Sequence, residues 1–301
     1  MKTGPLLKVS VATTPEAEDA VSELLGSLAG QVASIYNDVE TGEATASVFL
    51  TSASPWGAAK RAALRTGLAK ISECGLDLGA GRVSARKVRP QDWAESWKRH
   101  FKPISIGTAL LVKPSWSKLK PRNGQALVVL DPGLSFGTGQ HPTTRFCLEQ
   151  LVKARSVDGT QSFLDIGTGS GILGIAAVKL GYRPALAFDF DPDAVRVARE
   201  NARSNGVGRQ LKLSREDLTR LPVRSAARYD VVCANLIYDL LLAERGRILA
   251  RLKSSGTLVL AGILHTQFRE VRRAYERAGL KLVASRRERE WESGAFRYAC
   301  E

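Results

Sequence analysis

Phe163-Leu164-Asp165-Ile166-Gly167-Thr168-Gly169-Ser170-Gly171 is the stretch on which the fold turns. Ser162–Asp165 reads as a short apolar strand and Ile172–Leu180 as a helix, so three glycines at alternate positions fill the turn between them. Glycines there let the backbone approach a ligand closely. The helix N-terminus adds unpaired N–H groups at the carboxyl end of the sheet, where doubly wound folds bind ligands. The spacing Gly-x-Gly-x-Gly departs from the Gly-x-Gly-x-x-Gly of a dinucleotide pyrophosphate site. Asp189 ends the next strand, 22 positions after Gly167, where a carboxylate accepts both hydroxyls of an adenosine ribose. Asp165 either orients the loop or receives the amino end of the ligand. Asp191 and Asp193 read as the start of the helix Pro192–Asn205, while Glu216 or Asp217 contacts adenine or caps a helix. Loop, strand context and acidic spacing together predict a nucleoside-bearing cofactor.

Outward from this unit the α/β alternation continues. Strands are expected at Ala185–Phe190, Leu211–Leu213, Asp230–Ala234 and Thr257–Ala261, with helices around Leu240–Lys253 and Gln267–Ala278. Toward the N-terminus the pattern changes. An apolar alternation at Leu6–Ala12, a helix Pro15–Leu28 behind Thr13 and Thr14 as caps, strands at Val32–Asn37 and Ala44–Leu50, a helix Pro55–Ser72 and a strand Arg82–Lys87 give the order β-α-β-β-α-β. That order is the ferredoxin-like plan. Trp93, Trp97 and Phe101 share one face of a connecting helix ended by Pro103, and strands at Leu110–Val112 and Ala126–Leu130 flank a Lys/Pro-rich loop. The expected division is a front domain over 1–87, a connector over 88–125 and a Rossmann-like domain over 126–301.

Composition narrows the function. With 44% apolar and 25% charged residues the 301-residue chain can bury a core, and no apolar run approaches the ~20 residues of a spanning helix. A cytoplasmic protein without membrane contact is expected. The four cysteines and three histidines are scattered without metal-ligand spacing, so no metal site is expected. The net charge of +14 is uneven: residues 1–87 carry nine basic and nine acidic side chains, 88–130 eight and two, and 131–301 twenty-seven and nineteen. A basic balance suits an RNA-rich setting or is solvated surface, since no aromatic-interleaved patch accompanies it.

The segment from Asp131 to Thr144, Asp-Pro-Gly-Leu-Ser-Phe-Gly-Thr-Gly-Gln-His-Pro-Thr-Thr, carries a further signal. With the glycine loop, the Trp93/Trp97 connector, Lys113-Pro114-Ser115-Trp116, Asp189, Ala234-Asn235-Leu236 and Ala261-Gly262-Ile263-Leu264, it closely resembles the bacterial methyltransferases of ribosomal large-subunit protein L11 (PrmA). The resemblance spans nearly the whole chain. It implies an S-adenosylmethionine-dependent methyltransferase, with a doubly wound seven-stranded Rossmann-like sheet behind a ferredoxin-like α+β domain that recruits the substrate. Thr144, Gly167, Asp189 and Asn235 match the family's cofactor contacts, and the turn at Phe136–Thr138 belongs to the loop beside the methionine end. Asp165, Gly169 and Gly171 complete the expected cofactor set, and Asn235 is the expected catalytic residue. Gln140 stands where the family more commonly has Thr, and Leu236-Ile237-Tyr238 extends the Asn motif differently. Both departures lie where substrate choice can drift.

The implied reaction is N-methylation of L11 on lysine side chains and the N-terminal α-amine. Asn235 holds the incoming amine or the cofactor through its carbonyl oxygen, or serves as a turn residue bonding its own backbone. No dedicated base is required if the amine sheds its proton to solvent before binding. His141 reads as a lock on its turn, and Trp291 as a core or rim residue or a wall of the amine pocket. A monomer with no sequence-specific nucleic-acid contact is expected. The alternatives are methylation of another protein, which the front domain argues against, or of RNA by the same machinery, a nicotinamide oxidoreductase, which the glycine spacing argues against, and a non-enzymatic RNA-binding protein. Against the latter, the front strands offer only Tyr36 and Phe49 as aromatics.

Overall fold

Successive residues along the strands near the glycine loop go to opposite faces, and both faces are buried. Phe163, Ala185, Ala187, Val231, Cys233, Val259 and Ala261 enter one apolar cluster, while Leu164, Ile166, Phe188, Val232, Ala234, Leu258 and Leu260 enter the other. Strands buried on both sides belong to a sheet covered by two helical layers. The computed structural model describes residues 6–30, 33–37, 43–50, 56–88, 102–131, 141–156 and 159–299. It divides into two units, Met1–His100 and Phe101–Glu301.

The first unit runs β1 (Leu6–Thr13), α1 (Glu18–Ala29), β2 (Ser34–Asn37), β3 (Ala44–Leu50), α2 (Ala58–Glu73) and β4 (Val83–Val88). Its antiparallel sheet has the order β2-β3-β1-β4, the expected ferredoxin-like arrangement. Val9, Val11, Ala46 and Val48 meet Val21 and Leu25 of α1 and Leu64 and Leu68 of α2. On the other face the hydroxyls of Ser10 and Ser47 lie 3.0 Å apart. The first helix starts three residues later than the sequence suggests, and Thr14 is not its cap. Its hydroxyl donates instead to the Asp77 carbonyl at 2.5 Å, tying the strand exit to the loop before β4.

The second unit opens with a small sheet of β5 (Ile104–Ile106), β6 (Leu110–Lys113) and β7 (Ala126–Val129), antiparallel then parallel. There follow α3 (Pro142–Ala154), β8 (Phe163–Ile166), α4 (Ile172–Leu180), β9 (Ala185–Asp189), α5 (Pro192–Ser204), β10 (Leu211–Arg215), β11 (Tyr229–Asn235), α6 (Tyr238–Ala243), α7 (Arg245–Leu249), β12 (Leu252–Leu264), α8 (His265–Glu276), β13 (Leu280–Glu288) and β14 (Trp291–Tyr298). The seven-stranded order is β10-β9-β8-β11-β12-β14-β13, parallel except for β14. From β8 the chain winds out to β9 and β10 and then returns past β8 to β11. That reversal opens a crevice at the carboxyl ends of β8 and β11.

Two expectations are corrected. The helix expected over Leu240–Lys253 is two short helices broken at Glu244, with Gly246 weakening the second and Leu252 already paired with Tyr229 in the sheet. The strand expected at Thr257–Ala261 is correspondingly longer, from Leu252 to Leu264. Among the described residues no helix is long and apolar enough to cross a membrane, and no cluster of side chains suits a metal ion.

Candidate active site

The glycine loop leaves β8 at the crevice and is fastened from below. The N–H groups of Gly167 and Thr168 both donate to the Phe188 carbonyl of β9 at 3.0 Å, and Asn201 of α5 donates from Nδ2 to the Ser170 carbonyl at 2.8 Å. Gly167, Gly169 and Gly171 all hold positive φ, at 74°, 53° and 82°. Two of them are also pressed close. A Cβ at Gly167 would run into the Leu236 side chain, and one at Gly171 would stand 3.0 Å from Ala198 Cβ and 3.1 Å from its Cα. Glycine is thus required here by conformation and by room.

Asp189 ends β9 beside this loop. One carboxylate oxygen accepts from the Gly169 N–H at 2.9 Å and the other from the Asp191 N–H at 3.1 Å. Each oxygen keeps a second lone pair for an outside donor. Asp191 caps α5 by accepting from the Asp193 N–H at 2.9 Å, and Asp217 caps a 3-10 turn through the Thr219 N–H and hydroxyl at 2.9 and 2.8 Å. Asp217 is therefore occupied as a cap.

Asp165, the third residue of β8, is fully buried. Its Oδ2 accepts from the Thr168 hydroxyl at 2.6 Å and the Gly174 N–H of α4 also acts on the carboxyl, while Oδ1 has no partner in full hydrogen-bond geometry. Burial is the chief cause of a carboxyl pKa pushed up to about 7, with the Asp189 charge acting the same way against the Thr168 hydrogen bond. The folded protein therefore keeps this proton to near neutrality while the unfolded chain loses it near pH 4. The folded state binds more protons in that window, so stability falls as pH rises from about 4 to 7, by at most about 1.4 kcal/mol per pH unit. Denaturant titrations across this range should show a downward slope that flattens in Asp165→Asn. An equal slope in the variant would assign the dependence to other groups.

Asn235 ends β11 in register with Ala261 of β12. Its Oδ1 lies 3.1 Å from where a Gly262 Cβ would stand, so the bare backbone at Gly262 makes room for the amide. That amide has no hydrogen bond to another described residue. Thr144, in the first turn of α3, is buried with its hydroxyl unpartnered. α3 packs on β11 and β12, and Cys147, one turn beyond Thr144, contacts Cys233 of β11. His141 precedes α3. Its Nδ1 lies 2.7 Å from the Thr143 hydroxyl and its ring meets Trp291 edge-on at 5.0 Å. Burial holds the His141 pKa below the usual histidine value. Trp291 pairs with Leu264, so this contact closes the same end of the sheet.

Phe136, Gln140 and the Trp93/Trp97 connector lie outside the described residues. Sequence reading missed three contributors: Thr168 as the partner of Asp165, Leu236 beneath Gly167, and Phe190, 71% exposed immediately after Asp189. A large apolar residue directly after the acidic strand end was the available signal for Phe190. The crevice thus collects a carboxylate with free lone pairs, unpartnered polar atoms on Asp165, Thr144 and Asn235, and a glycine backbone that a Cβ would obstruct.

The chain matches the model of the ribosomal protein L11 methyltransferase (PrmA) family over residues 5–298. The ribosomal protein L11 methyltransferase of Geobacter sulfurreducens is 44% identical over 210 residues, covering 70% of this chain and 67% of that protein. Its counterpart from Alkaliphilus oremlandii is 38% identical over 228 residues, covering 76% and 71%. Among solved structures, the ribosomal protein L11 methylase of Lactobacillus delbrueckii subsp. bulgaricus superposes with a TM-score of 0.58 at 28% identity, over 66% of this chain and 99% of that one. With a match over residues 5–298 and relatives at this identity, the chain belongs to the ribosomal protein L11 methyltransferase family.

Proposed function

We propose that this protein N-methylates ribosomal protein L11, on lysine side chains and the N-terminal α-amine, with S-adenosylmethionine as donor. The observation that carries the reading is the set of groups gathered where β8 and β11 end, in a chain whose relatives are named for this activity. The residues fit the cofactor. Asp189 has lone pairs for both ribose hydroxyls, the loop Gly167–Gly171 offers bare glycine backbone and space, and the exposed ring of Phe190 presents an apolar face to adenine. The unpartnered Oδ1 of Asp165 suits the amino end and the buried hydroxyl of Thr144 the methionine side, to which the family resemblance also assigns Phe136. When bound, the cofactor supplies an electrophilic methyl group on a sulfonium.

The chain's own task is then mainly positioning. Asn235, its amide uncommitted among the described residues, accepts an N–H of the incoming amine and aims the nitrogen lone pair. His141 is neutral at pH 7, with Nδ1 engaged by Thr143 and its ring set on Trp291, and acts as a pin between α3 and β14. The front unit docks the substrate protein, which its balanced charge suits better than clamping RNA. The enzyme works as a monomer and reads no nucleic-acid sequence. The test is mass spectrometry of purified L11 after incubation with the protein and isotopically labelled S-adenosylmethionine. Mass increments of whole methyl groups on lysines or the N-terminus are expected. Cofactor binding without transfer to L11 would move the activity to another protein, and no cofactor binding would defeat the enzymatic reading.

A further inference from the structure

We propose that the outward face of α8 binds the phosphate backbone of RNA. Arg269, Arg273 and Arg277 recur every four residues along this helix and its C-cap, so they form one stripe with about 6 Å between successive residues along the axis. All three are exposed. The opposite face, Phe268, Val271, Ala274 and Tyr275, supplies the packing, so the fold does not need the arginines.

Their charge exceeds the acidic charge beside them, of which Glu276 shares a surface hollow with Arg273 and Arg277. The two acidic residues of the helix are already engaged: Glu276 pairs with Arg272 at 2.8 Å, and Glu270 accepts from the Tyr238 hydroxyl. No described carboxylate pairs with Arg269, Arg273 or Arg277. On α5 the protein does the reverse, with Arg196 held by both Asp193 at 3.3 Å and Glu200 at 3.1 Å. Residues 265–289 carry eight basic and three acidic side chains.

The chemistry selects phosphate. Guanidinium groups match phosphate oxygens in pairs, and a row of them follows a polyanion. The exposed positions of α8 hold no apolar side chain to enter a bilayer and no aromatic on which a base could stack. Such a surface holds a backbone without reading its sequence. The choice of RNA over DNA rests on the proposed ribosomal substrate, whereas the salt-dependent contact does not.

The test is fluorescence anisotropy of the full chain with a labelled single-stranded RNA of mixed sequence, from about 50 to 200 mM salt, beside DNA of the same sequence and anionic vesicles. The logarithm of the affinity for RNA should fall linearly with log salt. The triple variant R269Q/R273Q/R277Q should lose about two units of that slope, at about 0.7 per phosphate contact, and bind about tenfold or more weakly at low salt. Its thermal midpoint should match the parent, and Arg196→Gln should leave binding unchanged. No RNA binding at low salt, a slope unaltered by the triple substitution, stronger binding to DNA, or binding to vesicles alone would overturn the proposal. Because no methyl transfer is measured, failure here leaves the activity assay on L11 untouched.

Discussion

Asp189→Ala should cost the protein its cofactor, with affinity for S-adenosylmethionine reduced by about 10²- to 10⁴-fold and methyl transfer lost with it. Two hydrogen bonds to a charged carboxylate are removed at about 1.5–3 kcal/mol each, hence about 3–6 kcal/mol in all. The geometry adds a second loss, because the same carboxylate fixes the Gly169 and Asp191 N–H groups at 2.9 and 3.1 Å. Asp189→Asn should recover only part of the affinity. Its amide nitrogen would turn a donor toward one of those N–H groups whichever way it is placed. Isothermal titration calorimetry of both variants measures the effect, and near-parental affinity in Asp189→Ala would remove the ribose contact from the mechanism.

How far the sequence discloses this site follows from the range of the interactions. Gly167 to Gly171 and Asp189 were legible because a strand, a tight turn and a helix of fixed length set their spacing locally. α3 was not read as a helix, although Pro142 stands at its first position. Thr143, Thr144 and Gln150 are buried along with Phe146, Leu148 and Leu151, so the helix has no clean apolar stripe. The hairpin of β13 and β14 was likewise unassigned as individual strands. Its run from Arg286 to Glu290 reads as solvated charge, yet Arg286 is bonded to Glu149 of α3 at 2.7 and 2.9 Å. Contacts between distant segments stayed hidden for the same reason: nothing near Gly167 announces Leu236, and nothing near His141 announces Trp291. Motif resemblance alone supplied Asn235 and Thr144, and the Thr144 hydroxyl has no hydrogen-bond partner in the fold.

The close approach at the loop can be separated from backbone strain by comparing Gly171→Ala with Gly181→Ala. Both glycines flank α4 with positive φ, 82° and 100°. An alanine in that conformation costs about 1–2 kcal/mol. At Gly181 nothing lies within 4 Å of the added methyl, so strain is the whole cost. At Gly171 the methyl would meet Ala198 Cβ at 3.0 Å and the α5 backbone at 3.1 Å, and backbone cannot rotate away as a flexible side chain would. Overpacking adds about 1–3 kcal/mol, for a total near 2–5 and a fall in Tm of about 4–20 °C. Cofactor affinity should fall in Gly171→Ala alone. Pushing α4 from α5 moves the loop whose Gly169 N–H holds Asp189 and whose Ser170 carbonyl is tied to Asn201 of α5. Equal Tm losses in the two variants, measured by calorimetry, would mean that the contact between α4 and α5 at Gly171 contributes nothing beyond the strain common to both.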